Sequence, residues 1–437
     1  MLMIKKILIY IGSFLAAIIV LWSALILTSL IPNEKLLDNM LDSALQMCSE
    51  EPFPQVEGRN TITDNYADAI LLNIIWNIDS TDPFVSSLDT KYFDGNDGET
   101  DYGENVGLYA ALKGVPPNTD YSRYWHGSAV FIRPLMTITG ISGVRLVGAV
   151  AAAVLLAISC VILLKRRLYL EAAALPLSFI CVQVWNIHLS MEYQPAVLVA
   201  LTVLAFFLLL DKKGDTALII LSIISGTMIA FFDFLTAETL TILIPLITVM
   251  SVRYSEDRFA GAKKEMLTAV KCCTGWLLAY GGTYLVKWTA ASAVTGENKF
   301  TAALSSAEER LNGIPAVIPS LPQVFAAPLT NISTMMGGIE REEIPLAVAG
   351  ILIMAAAVGE VLYLSRNDKN ARRYLFVVLI LGVVPYVRYA VLNNHSYLHD
   401  FFTYRAQAAT VLALITAIGA AMRKPANKKN ERGSHGH

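Results

Sequence analysis

Residues 141–167 read ISGVRLVGAVAAAVLLAISCVILLKRR, an apolar run from 141 to 164 closed by Lys165, Arg166 and Arg167. At 1.5 Å of rise per residue such a run covers a ~30 Å hydrocarbon core, and the basic cluster marks the side on which it stops. The pattern recurs along the chain. Apolar stretches at roughly 7–31, 141–164, 169–188, 194–210, 216–234, 238–252, 266–288, 344–364, 374–393 and 405–422 give about ten spans. Those at 194–210 and 238–252 are short, and a re-entrant turn around Phe234, Leu235 and Thr236 is an alternative to two full crossings.

With the N-terminus in the cytosol, Lys165 to Arg167, Lys212 with Lys213, Arg253 to Lys264, Arg366 to Arg373 and Arg423 to Arg432 all fall on the cytosolic side. Moving the count by one span scatters this positive-inside arrangement. The chain therefore reads as an all-α polytopic protein of the cell membrane with both termini cytosolic. It divides into a first span (1–31), a large extracytoplasmic loop (32–135), spans two to seven (136–289), a second external loop (290–343), spans eight to ten (344–425) and a cytosolic tail (426–437). Composition agrees: 55% of the 437 residues are hydrophobic and 16% charged, with a mean hydropathy of +0.51, a balance that polar surface cannot cover in water. The formal net charge of -2 does not itself decide about nucleic acid, and no nucleic-acid partner is expected.

Lys5 and Lys6 precede an apolar run too long for a signal-peptide core, so the first span is expected to be retained. Of the five cysteines only Cys48 falls outside the expected spans, which leaves no external disulfide to form within the chain. The last residues, Gly433 to His437, are set aside as tail sequence.

The first loop opens with Leu36, Leu37, Met40, Leu41 and Leu45 at helical spacing, and Ala67 to Trp76 forms a second apolar patch; both suit helices lying in the interface. Asp89 to Gly107, rich in Gly, Asp and Glu, reads as a solvated loop. Within it Asp94 to Glu99 looks calcium-like but lacks the glycine an EF-hand needs at the sixth position. No phosphate-binding glycine loop, dinucleotide fingerprint, zinc-protease motif or nucleophile elbow occurs.

What the external segments do collect is ionisable side chains. Asp64 and Asp68 stand four residues apart, on one helix face; Asp64 is a candidate general base, and Thr63 or Asp64 is equally a candidate helix cap. Arg123 and His126 lie among aromatics, and Arg133 precedes Pro134 where the loop returns to lipid, so these groups can hold a phosphate at headgroup level or simply snorkel. His188 and Glu192 occupy the turn after the third span. Asp233 follows Phe231 and Phe232 inside an apolar run, where a carboxylate needs a partner or a function. Lys287 sits beside Trp288, and Arg388 is followed by a segment with His395, His399, Asp400 and Arg405, more chemistry than a connector requires. The loop from Thr295 to Glu343 could close over a cavity, but its residues offer no specific chemistry. Convergence of the other segments on one cavity is the economical expectation.

About ten spans with a large first external loop, an acid soon after span one and interfacial helices resemble the GT-C superfamily of membrane glycosyltransferases. The strings Asp64-Asn65-Tyr66-Ala67-Asp68-Ala69, Arg123-Tyr124-Trp125-His126-Gly127, Phe232-Asp233-Phe234-Leu235-Thr236 and Asn394-His395-Ser396-Tyr397 also look like a poorly annotated bacterial branch of that type. The resemblance implies a polyprenyl-phosphate-linked sugar donor, an extracytoplasmic glycan, lipid or polymer acceptor, surrounding membrane lipids, and a first-loop catalytic carboxylate, for which Asp64 fits best and Asp68 second. Some members use a paired-acid motif and a divalent metal; this chain has no Asp-x-Asp in that place, so a divalent metal stays open as a cofactor without a motif to support it. The expected reaction is inversion by direct displacement, with Asp64 taking the acceptor proton. Arg123, His126, Arg133, Lys287, Arg388 and Arg405 are the candidates to stabilise the leaving phosphate, and Glu192, Asp233, His395 and His399 to orient substrate. Two other classes stay open: an acyl- or phospho-transferase with a histidine base, and a lipid-linked oligosaccharide transporter.

Overall fold

A computed structural model describes residues 2–55, 62–95, 103–313 and 318–423. The calcium-like run past Gly95 and the tail 426–437 lie outside the described residues. Among the described residues the regular structure is helical apart from one antiparallel pair, Lys91–Tyr92 with Thr119–Asp120, and an isolated bridge between Gln55 and Ile62.

Among the described residues, seven helices are long and apolar enough to cross a membrane: Ile4–Ser29, Ile141–Lys165, Gln194–Lys213, Asp215–Phe232, Ile344–Leu364, Lys369–Val391 and Asp400–Met422. The other three expected spans are also helical but differ from that description. Tyr169–Cys181 has 13 residues and gives way to a 3₁₀ turn, Val184–Leu189. Leu240–Ser255 has 16 residues, about 24 Å of helix against a ~30 Å core. It is buried on every side from Leu240 to Arg253, which explains why its sequence is apolar all round. Ala262–Thr295 has 34 residues, and its apolar stretch is broken by Lys271, Gly281, Gly282 and Lys287.

The ends that carry basic residues meet. Arg166 bonds Glu256 at 2.9 Å and Asp211 at 3.1 Å, Arg258 joins the same two carboxylates, and Arg253 bridges Asp215 at 3.0 Å and Glu265 at 2.6 Å. Tyr254 stacks on Tyr374 at 4.6 Å, with Arg423 6.0 Å from the Tyr254 ring, which brings the ends of two further helices to this pole. The shared end read from the sequence is thus a physical one.

Helix Asp215–Phe232 lies closely along Ala262–Thr295 because Gly226 has no side chain: a Cβ there would sit 2.2 Å from the Trp276 carbonyl oxygen. Gly226→Ala is expected to destabilise the protein by about 1–3 kcal/mol, the usual cost of overpacking a rigid contact. Thermal unfolding of the purified protein in detergent reads this directly, and an unchanged midpoint would contradict the close approach.

The first long connection differs from a set of helices lying on lipid. Helix Leu37–Ser49 packs Met40, Ala44 and Met47 into the protein core and leaves Leu45 exposed. Helix Asn65–Trp76 is buried from Asp68 to Ile75. The stretch expected as a solvated loop contains the strand at 91–92 and a helix, Gly103–Leu112. Apolar periodicity identified both predicted helices, but it could not say whether the apolar face meets lipid or protein.

Candidate functional site

At the pole opposite the basic ends lies a chamber of about 630 Å³, to whose wall four separate parts of the chain bring candidates read from the sequence. Asp64 comes from the start of helix Asn65–Trp76, Arg123 and His126 from the end of the first connection, and Glu192 from the turn before Gln194–Leu210. His395 and His399 come from the segment after Lys369–Val391. Six of the twelve sequence candidates therefore line one wall.

Asp64 is the helix cap as well as a wall residue: one carboxylate oxygen accepts from Ala67 N at 2.9 Å. The two sequence readings of this residue are compatible, because capping engages one oxygen and leaves the other for the chamber. Burial pushes Asp64 up to about 6, against the helix N–H, which favours the ionised form. Burial and then the neighbouring Asp64 hold Glu192 well above the ordinary carboxylate range.

The imidazoles are neutral acceptors. His126 Nε2 lies 2.9 Å from the Tyr121 carbonyl and His395 Nε2 2.9 Å from the Leu235 carbonyl. A carbonyl only accepts, so each Nε2 carries the hydrogen, and each Nδ1 is bare because the rings are neutral. Burial drives His126 down to about 3 and His395 well below its ordinary value. His399, also pushed down to about 3 by burial, stands 4.7 Å from the His395 ring and stacks on Phe402 at 5.2 Å. The backbone supports this at some expense: His126 and Leu235 hold φ of 51° and 71°, the left-handed region that side-chain-bearing residues avoid.

Three charged wall residues come from the 290–343 connection, which sequence reading had left without specific chemistry. Glu309 and Arg310 are on helix Lys299–Asn312, and Arg341 precedes Ile344–Leu364. Ala303, Ser306, Ala307 and Arg310 recur at i, i+3, i+4 and i+7, a face that the sequence did carry. That face lines a second space of about 210 Å³ with Tyr124, Tyr280, Tyr284, Trp288 and Leu392. Arg123 and Arg310 belong to both spaces. They flank one aromatic ring: Arg123 lies 4.0 Å from the Tyr121 centroid and 5.4 Å from Tyr124, Arg310 5.6 Å from Tyr124. Each keeps its Nε without a hydrogen-bond partner, and among the described residues neither enters an ion pair.

The remaining six candidates are engaged elsewhere. Asp68 accepts from Arg145 Nε at 2.7 Å, Ser190 Oγ at 2.9 Å and Met191 N at 2.9 Å, behind the wall. Asp233 ends a helix and caps the next turn, accepting from Thr236 N at 2.9 Å and Thr236 Oγ1 at 2.5 Å. Arg133 donates to the Ile75 carbonyl at 2.6 Å, Asn33 Oδ1 at 2.7 Å and the Ile31 carbonyl, satisfying helix-end carbonyls. Lys287 donates to the Ser87 and Leu88 carbonyls at 3.0 and 2.9 Å. Arg388 forms a two-pronged pair with Glu238 at 2.9 and 3.1 Å and reaches Ser396 Oγ at 2.9 Å. Arg405 is buried outside the chamber wall, stacked 4.3 Å over Tyr193, with Nη1 on the Phe401 carbonyl at 3.4 Å and with Nε and Nη2 lacking a hydrogen-bond partner. A charged group near the end of a span reads alike in sequence whether it faces a cavity or a backbone carbonyl, and only packing separates the two.

Among the described residues no three His, Cys, Asp or Glu side chains are grouped so as to hold a metal ion. Comparison with protein-family models, curated proteins and solved structures finds no match to this chain.

Proposed function

We propose that the chain is a membrane glycosyltransferase of GT-C type, moving a sugar from a polyprenyl-phosphate donor to a hydroxyl acceptor in the 630 Å³ chamber. In this reading it crosses the bilayer about ten times, with the basic pole cytosolic and the chamber extracytoplasmic. The observation that carries the reading is the division of the chamber wall by chemistry. One part is rich in acceptors: ionised Asp64 and the bare Nδ1 atom of His395 take hydrogen bonds from hydroxyl groups. Another part is cationic, with Arg123 and Arg310 unpaired where the chamber adjoins an aromatic groove. A sugar linked through phosphate to an apolar chain has those three chemistries in that order.

Asp64 removes the acceptor proton as the hydroxyl attacks the anomeric carbon, and the sugar–phosphate oxygen bond breaks. The electron pair leaves with the lipid phosphate, whose charge Arg123 and Arg310 stabilise by charge-assisted hydrogen bonds. Arg388, Lys287 and Arg133 take no part in this step, since their donors are engaged by the protein.

Arg123→Ala and Arg310→Ala are each expected to weaken donor binding by about 10- to 100-fold, the equivalent of ~1.5–3 kcal/mol for a hydrogen bond to a charged group. A short-chain prenyl phosphate titrated into the protein in nanodiscs reads the affinity, with the unfolding midpoint unchanged. Unaltered binding in both variants removes the arginines from the donor site. For the activity itself, donors labelled in the sugar and, separately, in an acyl chain are offered with hydroxyl acceptors. Movement of the acyl label alone replaces glycosyl transfer by acyl transfer.

A further inference from the structure

Helix Asn65–Trp76 is apolar on two faces, and packing against the main core uses only one of them. Ala69, Leu72 and Ile75 join that core. Ala67, Ile70, Leu71 and Ile74 line the chamber, with Leu71 reaching the core as well and Ile70 and Ile74 kept apart from it in a small cluster with Tyr92. We propose that this chamber-facing side binds the acceptor, and that the acceptor is an amphiphile, an alkyl chain ending in a hydroxyl. The acceptor role rests on the glycosyltransferase reading; binding of such a compound does not.

A helix needs one apolar stripe to pack, and the remainder is free to be polar. Spacings of three and four residues put Ala67, Ile70, Leu71 and Ile74 on one side, and that side begins at Asp64, three residues before Ala67. Capping holds the carboxylate there, since one oxygen accepts from Ala67 N at 2.9 Å. A carboxylate thus heads a run of four side chains that carry no polar atom. Asp68, the next acid on the helix, is drawn off this side by Arg145 at 2.6 Å, Ser190 Oγ at 2.9 Å and Met191 N at 2.9 Å. Phe401 and Phe402 extend the apolar lining from the segment after Lys369–Val391.

From Ala67 to Ile74 the run rises about 10 Å, the reach of a medium-length alkyl chain. The donor's own chain has a different apolar surface, the aromatic groove beside Arg123 and Arg310. A free glycan carries hydroxyls on every side and would leave some of them without partners against this wall, which is costly. An alkyl chain gains from it, each methylene withdrawn from water raising affinity about fourfold. In the transfer step the terminal hydroxyl gives its proton to Asp64 and its oxygen bonds the anomeric carbon, while the sugar–phosphate bond breaks and its electron pair stays with the phosphate.

Octanol carrying an aliphatic diazirine near its methyl end, photolysed with the wild-type protein in nanodiscs, tests the site without any donor. Mass spectrometry is expected to find saturable label on residues 70–74, removed by excess octanol and untouched by excess glucose. The exposed apolar side chains of helix Ile344–Leu364 give the unsaturable background. Methoxyoctane, with the chain but no hydroxyl hydrogen, is expected to compete about 10- to 100-fold less well, the equivalent of a hydrogen bond to a charged group. Ile74→Ser is expected to weaken octanol protection about tenfold, and Ile70→Ser is measured beside it whether or not the first variant folds. Absence of saturable label at 70–74 in the wild type, or protection by glucose in place of octanol, overturns the proposal. Equal competition by methoxyoctane overturns the placing of the hydroxyl at Asp64. Label as expected with no sugar passing from a labelled donor to octanol counts against the glycosyltransferase reading and leaves the amphiphile site standing.

Discussion

Replacing Asp64 with Asn lowers sugar transfer by about 10³-fold, within the 10²–10⁴-fold range that a positioned general base contributes. The substitution is nearly isosteric, and the Asn oxygen still accepts from Ala67 N, so the helix cap and the chamber survive. What is lost is the only function that requires a carboxylate, removal of the acceptor proton. Donor binding, which depends on Arg123 and Arg310, is expected to stay within about twofold, so the loss falls on kcat. The proposed transfer is also expected to carry a pH signature. With Asp64 raised to about 6, the active anionic form is present above that value and is lost as pH falls through it. The acid limb should therefore fall about tenfold per pH unit below roughly pH 6, well above the limb near 4 of an ordinary Asp. Full transfer by Asp64→Asn with the natural donor would remove Asp64 from the chemistry.

Arg388→Ala produces the largest loss of stability, about 3–5 kcal/mol, because it leaves Glu238 buried and unpaired. Arg388 joins helix Lys369–Val391 to the 235–238 turn by two bonds to Glu238 and one to the Leu235 carbonyl at 2.6 Å, and it also holds Ser396. The same Leu235 carbonyl accepts from His395, so the chamber histidine would lose its anchor along with the fold. Lys at 388 cannot reproduce the planar fork and should recover little. Replacing both partners, as Arg388→Met with Glu238→Leu, removes the uncompensated charge and should recover much of the loss. Unfolding midpoints in detergent for the single and double variants test this. A single variant as stable as the double would mean that the pair carries no such burden. The contrast with Arg123→Ala is the useful one: two arginines at the same pole, one expected to be essential to the fold and the other, in the proposed function, to a ligand.

The hydrophobic runs and basic clusters made the helical class, the positions of the long apolar helices and the common basic pole legible from sequence, since burial in lipid and charge placement act on composition directly. The identity of the chamber was legible in part. Asp64, Arg123, His126, Glu192, His395 and His399 stood out as ionisable groups near the ends of apolar runs, and they do share a wall. Arg310 and Glu309 were missed because their helix is short, polar and outside any apolar run. Arg133, Lys287, Arg388 and Asp233 resembled site residues because a buried donor for a helix-end carbonyl and a ligand-binding donor are the same residue types at the same positions along the chain.

Sequence by itself therefore determined which segments are apolar helices and which side chains are costly to bury. Only the tertiary structure decided how each cost is met: Arg145 by Asp68, Arg388 by Glu238, Lys287 by two carbonyls, and Arg123 and Arg310 by tyrosine rings with no anion paired to them among the described residues. The physical reason is that solvation is local to a residue, whereas a partner is brought in from up to 200 positions away, as the Ser87 carbonyl is to Lys287.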